Sequence, residues 1–212
     1  MHEDFRVLDV GCGGGELLSF LPIRNKYGVD INLTSVKWAR RRGINARVVD
    51  VETQKLPYRD NYFDLVLCTE LLEHLFNPFL LLSEIKRVLK KGGYVYATVP
   101  NDLYYIESRI KVLLGKPFMR DLLSQPHIRF FNKNLLFELF EKFRFKVIYL
   151  GGFHYRSFPM EEFLAKHFTN IFVSHFSIIA HQRVMIFLAV TSKCCRWSPL
   201  RDLGHLRRIQ AE

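Results

Sequence analysis

The densest run of glycine in the chain is Asp9-Val10-Gly11-Cys12-Gly13-Gly14-Gly15-Glu16, directly after the apolar residues Val7 and Leu8. A buried strand would pass there through a glycine turn into a helix. Glycines let the backbone take positive φ and approach a ligand closely, and a helix start adds N–H groups free to meet an anion. Spacing separates two kinds of ligand. A dinucleotide turn needs G-x-G-x-x-G; counted from Gly11 and Gly13, its third glycine would fall on Glu16. The chain has D-x-G-x-G-x-G instead. Asp9 would oppose a pyrophosphate and suits a cationic, amino-acid-like ligand. Tyr27-Gly28-Val29-Asp30 closes the next strand with an acid 19 residues after Gly11, where one carboxylate can hold both hydroxyls of a ribose.

A second group, Cys68-Thr69-Glu70-Leu71-Leu72-Glu73-His74, ends a later strand. Ligands of doubly wound sheets sit beyond the carboxyl ends of the strands, so residues 69–74 should flank the reacting atoms. His74, and His127 in His127-Ile128-Arg129-Phe130-Phe131, are the candidate catalytic bases. Glu70, Glu73 and His74 would crowd one face if helical and, with His127, would offer a carboxylate-rich cluster to Mg²⁺. No residue is assigned as a metal ligand. Cys12, Cys68, Cys194 and Cys195 lack zinc spacing and read as reduced thiols.

These groups need strands and helices in alternation to bring them together. Residues 5–10, 26–30, 46–50, 62–68 and 94–99 read as strands. Residues 16–21 start a helix stopped by Pro22. Residues 34–42 form a helix opened by a capping hydroxyl and ended by Gly43. Asn77-Pro78 opens a helix with Leu81, Ile85, Val88 and Leu89 on one face, closed by Lys90, Lys91 and Gly92. Residues 132–143 form another helix, and 104–114 an amphipathic one. Residues 146–150 and 184–190 read as two more strands. The rhythm is that of an open, doubly wound parallel sheet.

On these residues the chain resembles the class I S-adenosylmethionine-dependent methyltransferases. The glycine run is similar to their motif I. Asp30, then Val48-Val49-Asp50-Val51, then Leu56-Pro57 through Asp64, and residues 86–100 with Arg87-Val88-Leu89-Lys90 and Gly92-Gly93, match the family in order. The resemblance covers residues 5–101, and 127–150 more loosely. It implies an α/β, Rossmann-like, doubly wound seven-stranded sheet, mostly parallel with an antiparallel last strand, and helices on both faces. It implies S-adenosylmethionine as cofactor, S-adenosylhomocysteine as product, and Asp9, Gly11, Cys12, Gly13, Gly15, Asp30, Ile31, Asp50, Val51, Thr69 and Glu70 as cofactor-binding residues. Asp50 would accept from the adenine amino group while the Val51 N–H meets a ring nitrogen. Glu52 rivals Asp50, because the interval to Leu56-Pro57 is longer than the family's commonest pattern. The Glu70–His74 string with His127 resembles the Mg²⁺ cluster of small-RNA 2′-O-methyltransferases, and recurs in ubiquinone-pathway O-methyltransferases and in relatives with no metal role. The Asn-Pro-Pro-Tyr-like tetrad of amino-methylating enzymes is missing after strand four, which counts against base N-methylation. Only residues 1–4 precede the first strand, where many relatives carry covering helices.

Composition sets the remaining bounds. The chain has 212 residues, 49% of them apolar and 25% charged, with formal charge +10. That excludes disordered, collagen-like and disulfide-scaffold classes. Residues 1–100 hold 14 basic against 12 acidic residues; residues 101–212 hold 17 against 9, with 14 of the 19 Phe. The organisation expected is one methyltransferase domain over 1–192, with a cofactor half (1–101), a substrate half (102–192, insertion 151–183) and a basic tail (193–212). No signal peptide or membrane span is read, so the expected location is cytoplasmic. The leading reading is O-methylation of a small, apolar or lipid-linked acceptor, with residues 104–120 as a peripheral membrane contact or site cap. The competing readings are an RNA methyltransferase, disfavoured because the Phe spacing is that of a core, and a non-catalytic adaptor of a biosynthetic enzyme.

Overall fold

The computed structural model describes residues 4–101, 127–129, 131–153 and 175–182. Its strands are β1 (Arg6–Val10), β2 (Asn25–Asp30), β3 (Asn45–Val48), β4 (Phe63–Thr69), β5 (Leu89–Pro100), β6 (Lys146–Phe153) and β7 (His175–His181). They form one sheet in the order β3-β2-β1-β4-β5-β7-β6. β1 to β5 pair in parallel, and β7 runs antiparallel to both β5 and β6. Strand order reverses between β1 and β4. The carboxyl ends of these two strands therefore flank the crevice where such sheets receive ligands.

The described helices are α1 (Glu16–Phe20), α2 (Leu33–Arg41), α3 (Pro78–Val88) and α4 (Lys133–Lys142), with a 3₁₀ turn at Leu72–His74. Alternation along the strands assigns them to two faces. Val7, Leu65 and Leu67 pack with Leu18 of α1 and Val36 and Ala39 of α2. Leu8, Val10, Val66 and Cys68 pack with Leu81, Leu82 and Ile85 of α3 and Leu136 and Phe140 of α4. A sheet covered on both faces has strands that are apolar at nearly every position, as the burial of Val7, Leu8 and Val10 shows.

Asn77 caps α3, its side chain accepting from the Phe79 N–H at 3.2 Å with Pro78 in the first turn, as the sequence indicates. Three expectations need correction. The cap of α2 is not the Thr34 hydroxyl but Asn32, whose carbonyl oxygen accepts from Thr34 N at 2.8 Å and Ser35 N at 3.1 Å. Lys90, Lys91 and Gly92 do not finish α3. Leu89 is already extended (ψ 138°) and β5 begins there, with Lys90 Nζ held 2.7 Å from Asp64 Oδ1. The antiparallel strand lies at His175–His181, inside the interval read as an insertion; it is sandwiched between β5 and β6 and buried along almost its whole length. The strand expected over 184–190, the helix over 104–114 and the tail over 193–212 lie outside the described residues. No helix among the described residues is long and apolar enough to cross a membrane.

Candidate active site

β1 delivers the glycine turn to the crevice. Val10 pairs with Val29 of β2, and the Gly11 and Cys12 N–H groups both donate to Val29 O, at 2.9 and 3.0 Å. Gly11 and Gly15 take φ of +76° and +84°. A Cβ on Gly15 would lie 2.3 Å from Ile44 Cδ1, and one on Gly11 would lie 3.2 Å from Leu71 Cδ2. Only glycine therefore lets α2 and the Leu71 segment close on the turn. Gly13 N donates to Asp30 Oδ2 at 2.8 Å and Gly15 N to Cys12 O at 2.9 Å. The amides of residues 11, 12, 13 and 15 are thus bonded within the chain, which corrects the expectation of a row of free N–H donors. The turn presents a backbone surface flanked by carboxylates.

Those carboxylates are Asp9 and Asp30. Asp9 is 2% exposed, and its Oδ1 is buried with no hydrogen-bond partner. Burial, and next the charge of Asp30, push its carboxyl up to about 8. A buried polar atom left unsatisfied is uncommon and marks a place for a ligand group. Asp30 is fixed from both sides, Oδ2 by Gly13 N and Oδ1 by Asn32 N at 2.8 Å. The Cys12 thiol points into the core; a Cβ on Gly28 would sit 2.6 Å from its Sγ. Burial, with the charge of Asp9 second, pushes it up to about 12. Cys12 therefore offers main chain only. Arg42 pairs with Glu16 at 3.1 Å and donates to Gly14 O at 2.6 Å, bracing the outer flank of the turn.

Ile31 is exposed beside Asp30, and Val51, half-buried, packs against the larger core cluster. Asp50 caps its own turn, Oδ1 accepting from Glu52 N at 3.0 Å and Oδ2 from the Thr53 hydroxyl at 2.8 Å. Glu52, the rival acid, accepts from the Phe76 N–H.

The other wall of the crevice follows β4. Thr69 pairs with Thr98 of β5, and Glu70 turns the chain with φ +49°. The 3₁₀ turn then brings up Glu73 and His74. Glu73 O accepts from Ile128 N at 2.8 Å and Arg129 N at 3.0 Å, while Arg129 Nε donates to Leu75 O at 3.0 Å. These bonds hold residues 127–129 on the turn, and the His74 and His127 rings meet edge to face at 5.0 Å. Glu73 is fully buried beneath them, both carboxylate oxygens without a hydrogen-bond partner. Oε1 lies 3.9 Å from His74 Nε2. Burial, and then the charge of Glu70, push Glu73 up to about 8. Ligand atoms of Glu73, His74 and His127 lie within 4.8 Å of one another. Two imidazoles over a buried carboxylate can take and hold a proton; the same donor set can bind a divalent transition ion. Glu70 stands outside this group, so the expected crowding of Glu70 with Glu73 and His74 does not occur. The turn is 3₁₀ and Glu70 precedes it in a left-handed conformation.

Thr98 and His175 are site residues that the sequence reading missed. The Thr98 hydroxyl donates to Glu70 Oε1 at 2.7 Å, and His175 Nε2 lies 3.3 Å from Glu70 Oε2. Thr98 carries a weak signal, a polar residue among the apolar ones near the carboxyl end of a buried strand. His175 carries none.

A doubly wound sheet with an acid-flanked glycine turn at its switch point defines a nucleoside-binding α/β domain. Comparison with known proteins makes this specific. A family profile described as a methyltransferase domain matches residues 8–97. An uncharacterised protein of Methanocaldococcus jannaschii is 33% identical over 153 residues, 72% of this chain and 60% of that one. The fatty-acid O-methyltransferase of Mycolicibacterium smegmatis is 36% identical over 135 residues, 60% of this chain and 48% of that enzyme. A Thermotoga maritima structure, described as an S-adenosylmethionine-dependent methyltransferase and possible histamine N-methyltransferase, superposes with TM-score 0.64 at 20% identity, covering 84% of this chain and 82% of that one. The chain spans about half the length of the curated relatives it matches. Over residues 8–97 the chain matches the methyltransferase-domain family, on a fold shared with solved S-adenosylmethionine-dependent methyltransferases. Its residues fit that family's methyl donor, since a buried Asp9 carboxyl oxygen lacks a hydrogen-bond partner beside a turn whose left-handed glycines bring only backbone to the crevice.

Proposed function

We propose that this protein transfers a methyl group from S-adenosylmethionine to an oxygen of a small, apolar or lipid-linked acceptor, working in the cytoplasm. The donor supplies an electrophilic methyl on a sulfonium. The chain has to align the acceptor oxygen in line with it and keep water out. Asp30 would hold the ribose hydroxyls, Ile31 and Val51 would cover the adenine, Asp50 would face the adenine amino group, and the backbone of Gly11, Cys12, Gly13 and Gly15 with Asp9 would cradle the amino-acid end. Thr69 and Glu70 would flank the sulfonium. His74 and His127 would take the proton of an acceptor hydroxyl, with Glu73 beneath them.

The observation that carries the reading is the His74–His127 pair over the buried Glu73, whose oxygens have no hydrogen-bond partner. It stands one turn beyond Leu71, which packs on the glycine turn. Proton acceptors are thereby set near the glycine turn. The exposed Phe76 and Ile128 next to them support an apolar acceptor, as does the relative named for fatty-acid O-methylation.

The test is incubation with isotopically labelled S-adenosylmethionine and separate panels of fatty acids, prenylated phenols, RNA and protein. Label in a fatty acid or phenol supports the reading. Label in RNA replaces it with the nucleic-acid alternative. Donor binding without label in any panel, together with co-purification of an enzyme partner, replaces it with an adaptor role.

A further inference from the structure

Glu70 is held in an unusual way. Its backbone takes φ +49°, a conformation that side-chain-bearing residues rarely adopt. Its N–H donates to Thr98 O at 3.1 Å and to Thr98 Oγ1 at 3.2 Å. The same hydroxyl returns its proton to Glu70 Oε1 at 2.7 Å, closing a ring between the end of β4 and β5. His175, at the first position of β7 and opposite Pro100, brings Nε2 to 3.3 Å from Glu70 Oε2. The His175 side chain is only 8% exposed and that of Glu70 is 32% exposed. A buried hydroxyl donor and a buried imidazole on two strands thus hold a carboxylate that keeps one side open. The next residue, Leu71, lies against Gly11 of the donor turn. A clip meant only to join strands would gain more from apolar packing than from a part-exposed acid on a strained backbone.

We propose that His175 is a positioning residue of the methyl-donor site. With Thr98 it aims the Glu70 carboxylate at the place of the donor's sulfonium, so that the chain holds the charged donor more tightly than the neutral, demethylated product. This deepens the function proposed above and rests on it. Product release after transfer follows from the same charge: once the methyl has left, the sulfur is neutral and Glu70 no longer attracts it.

The test is calorimetric titration of S-adenosylmethionine and S-adenosylhomocysteine into wild type, Glu70→Gln, His175→Leu and His175→Gln. Glu70→Gln should weaken donor binding about 5-fold and product binding less than about 2-fold. His175→Leu should weaken donor binding about 3-fold with product binding kept, and His175→Gln, which retains an N–H donor, should restore the wild-type ratio. An unchanged donor-to-product ratio in Glu70→Gln and His175→Leu overturns the proposal, as does an equal loss of both ligands. If His175→Leu does not fold, His175→Phe, which keeps a ring of similar size without its nitrogens, is titrated in its place and decides by the same criterion. Wild-type protein that binds neither ligand instead overturns the function proposed above.

Discussion

The two walls of the crevice are built differently. The donor wall, from Asp9 to Asp30, is a short stretch of chain that organises itself: β1 and β2 are neighbours, Gly13 bonds Asp30, and Asn32 caps the helix that follows. The wall proposed for the acceptor (the acceptor wall) draws on β4, the 3₁₀ turn and residues 127–129, joined by contacts such as Arg129 to Leu75, and Glu70 with Thr98 and His175 stands where the two walls meet. The donor wall rests mostly on contacts among residues 9–44, with Leu71 packed on its turn, whereas the acceptor wall needs residues from the second half of the chain.

The comparison can be broken most severely at Gly15. Gly15→Val puts a branched side chain at φ +84°, into Ile44, and should cost about 3 kcal/mol. The melting temperature should drop by several degrees and donor binding should vanish. A variant with wild-type melting would mean the turn is not held as described.

A smaller effect, confined to the acceptor wall, is expected at His74 and His127. The double variant His74→Gln/His127→Gln should bind the donor normally, yet lose methyl transfer to a hydroxyl acceptor by about 100-fold. Transfer to a carboxylate acceptor, which has no proton to lose, should be affected little. Equal loss on both acceptors would make the pair structural.

Glu73 sharpens the contrast through pH. Burial raises its carboxyl from 4.5 to about 8, so the native state keeps a proton that the unfolded chain has released. The stability this contributes is complete below about pH 4.5 and disappears as pH rises through about 8. Glu73→Gln should therefore gain on wild type between pH 5 and pH 9, by roughly 4 kcal/mol in denaturant unfolding. If the two proteins lose stability in parallel up to pH 9, Glu73 is not protonated in the fold.

The smallest change is expected at the exposed Leu135 of α4. Leu135→Gln should shift stability by less than about 0.5 kcal/mol and leave donor affinity and transfer untouched. An effect on transfer would extend the acceptor wall to α4.

The same division governs what could be read from the sequence. The strand-to-glycine-turn unit, Asp30 and the Asn77-Pro78 cap are local signals, and each lies in the structure where its residues place it. Asn32 was missed as a cap because Thr34 and Ser35 follow it closely and have hydroxyls of their own. The start of β5 was hidden because Lys90-Lys91-Gly92 has the composition of a helix end, while a contact with Asp64 fixes it as strand. β7 carries no local signal of its own, since His175, Ser177 and His181 interrupt its apolar residues, and pairing with β5 and β6 makes residues 175–181 a strand. Thr98 and His175 gain their meaning from Glu70, far from both along the chain.

The claim on which everything depends is that the acid-flanked glycine turn receives an adenosyl sulfonium. Calorimetric titration of S-adenosylmethionine into wild type and Asp30→Ala tests it most directly. The account predicts one site in wild type and affinity weaker by about 10-fold or more in Asp30→Ala, as expected when a carboxylate loses its hydrogen bonds to a sugar. Wild type that gives no heat with the donor, or Asp30→Ala that binds it as tightly as wild type, would contradict the account.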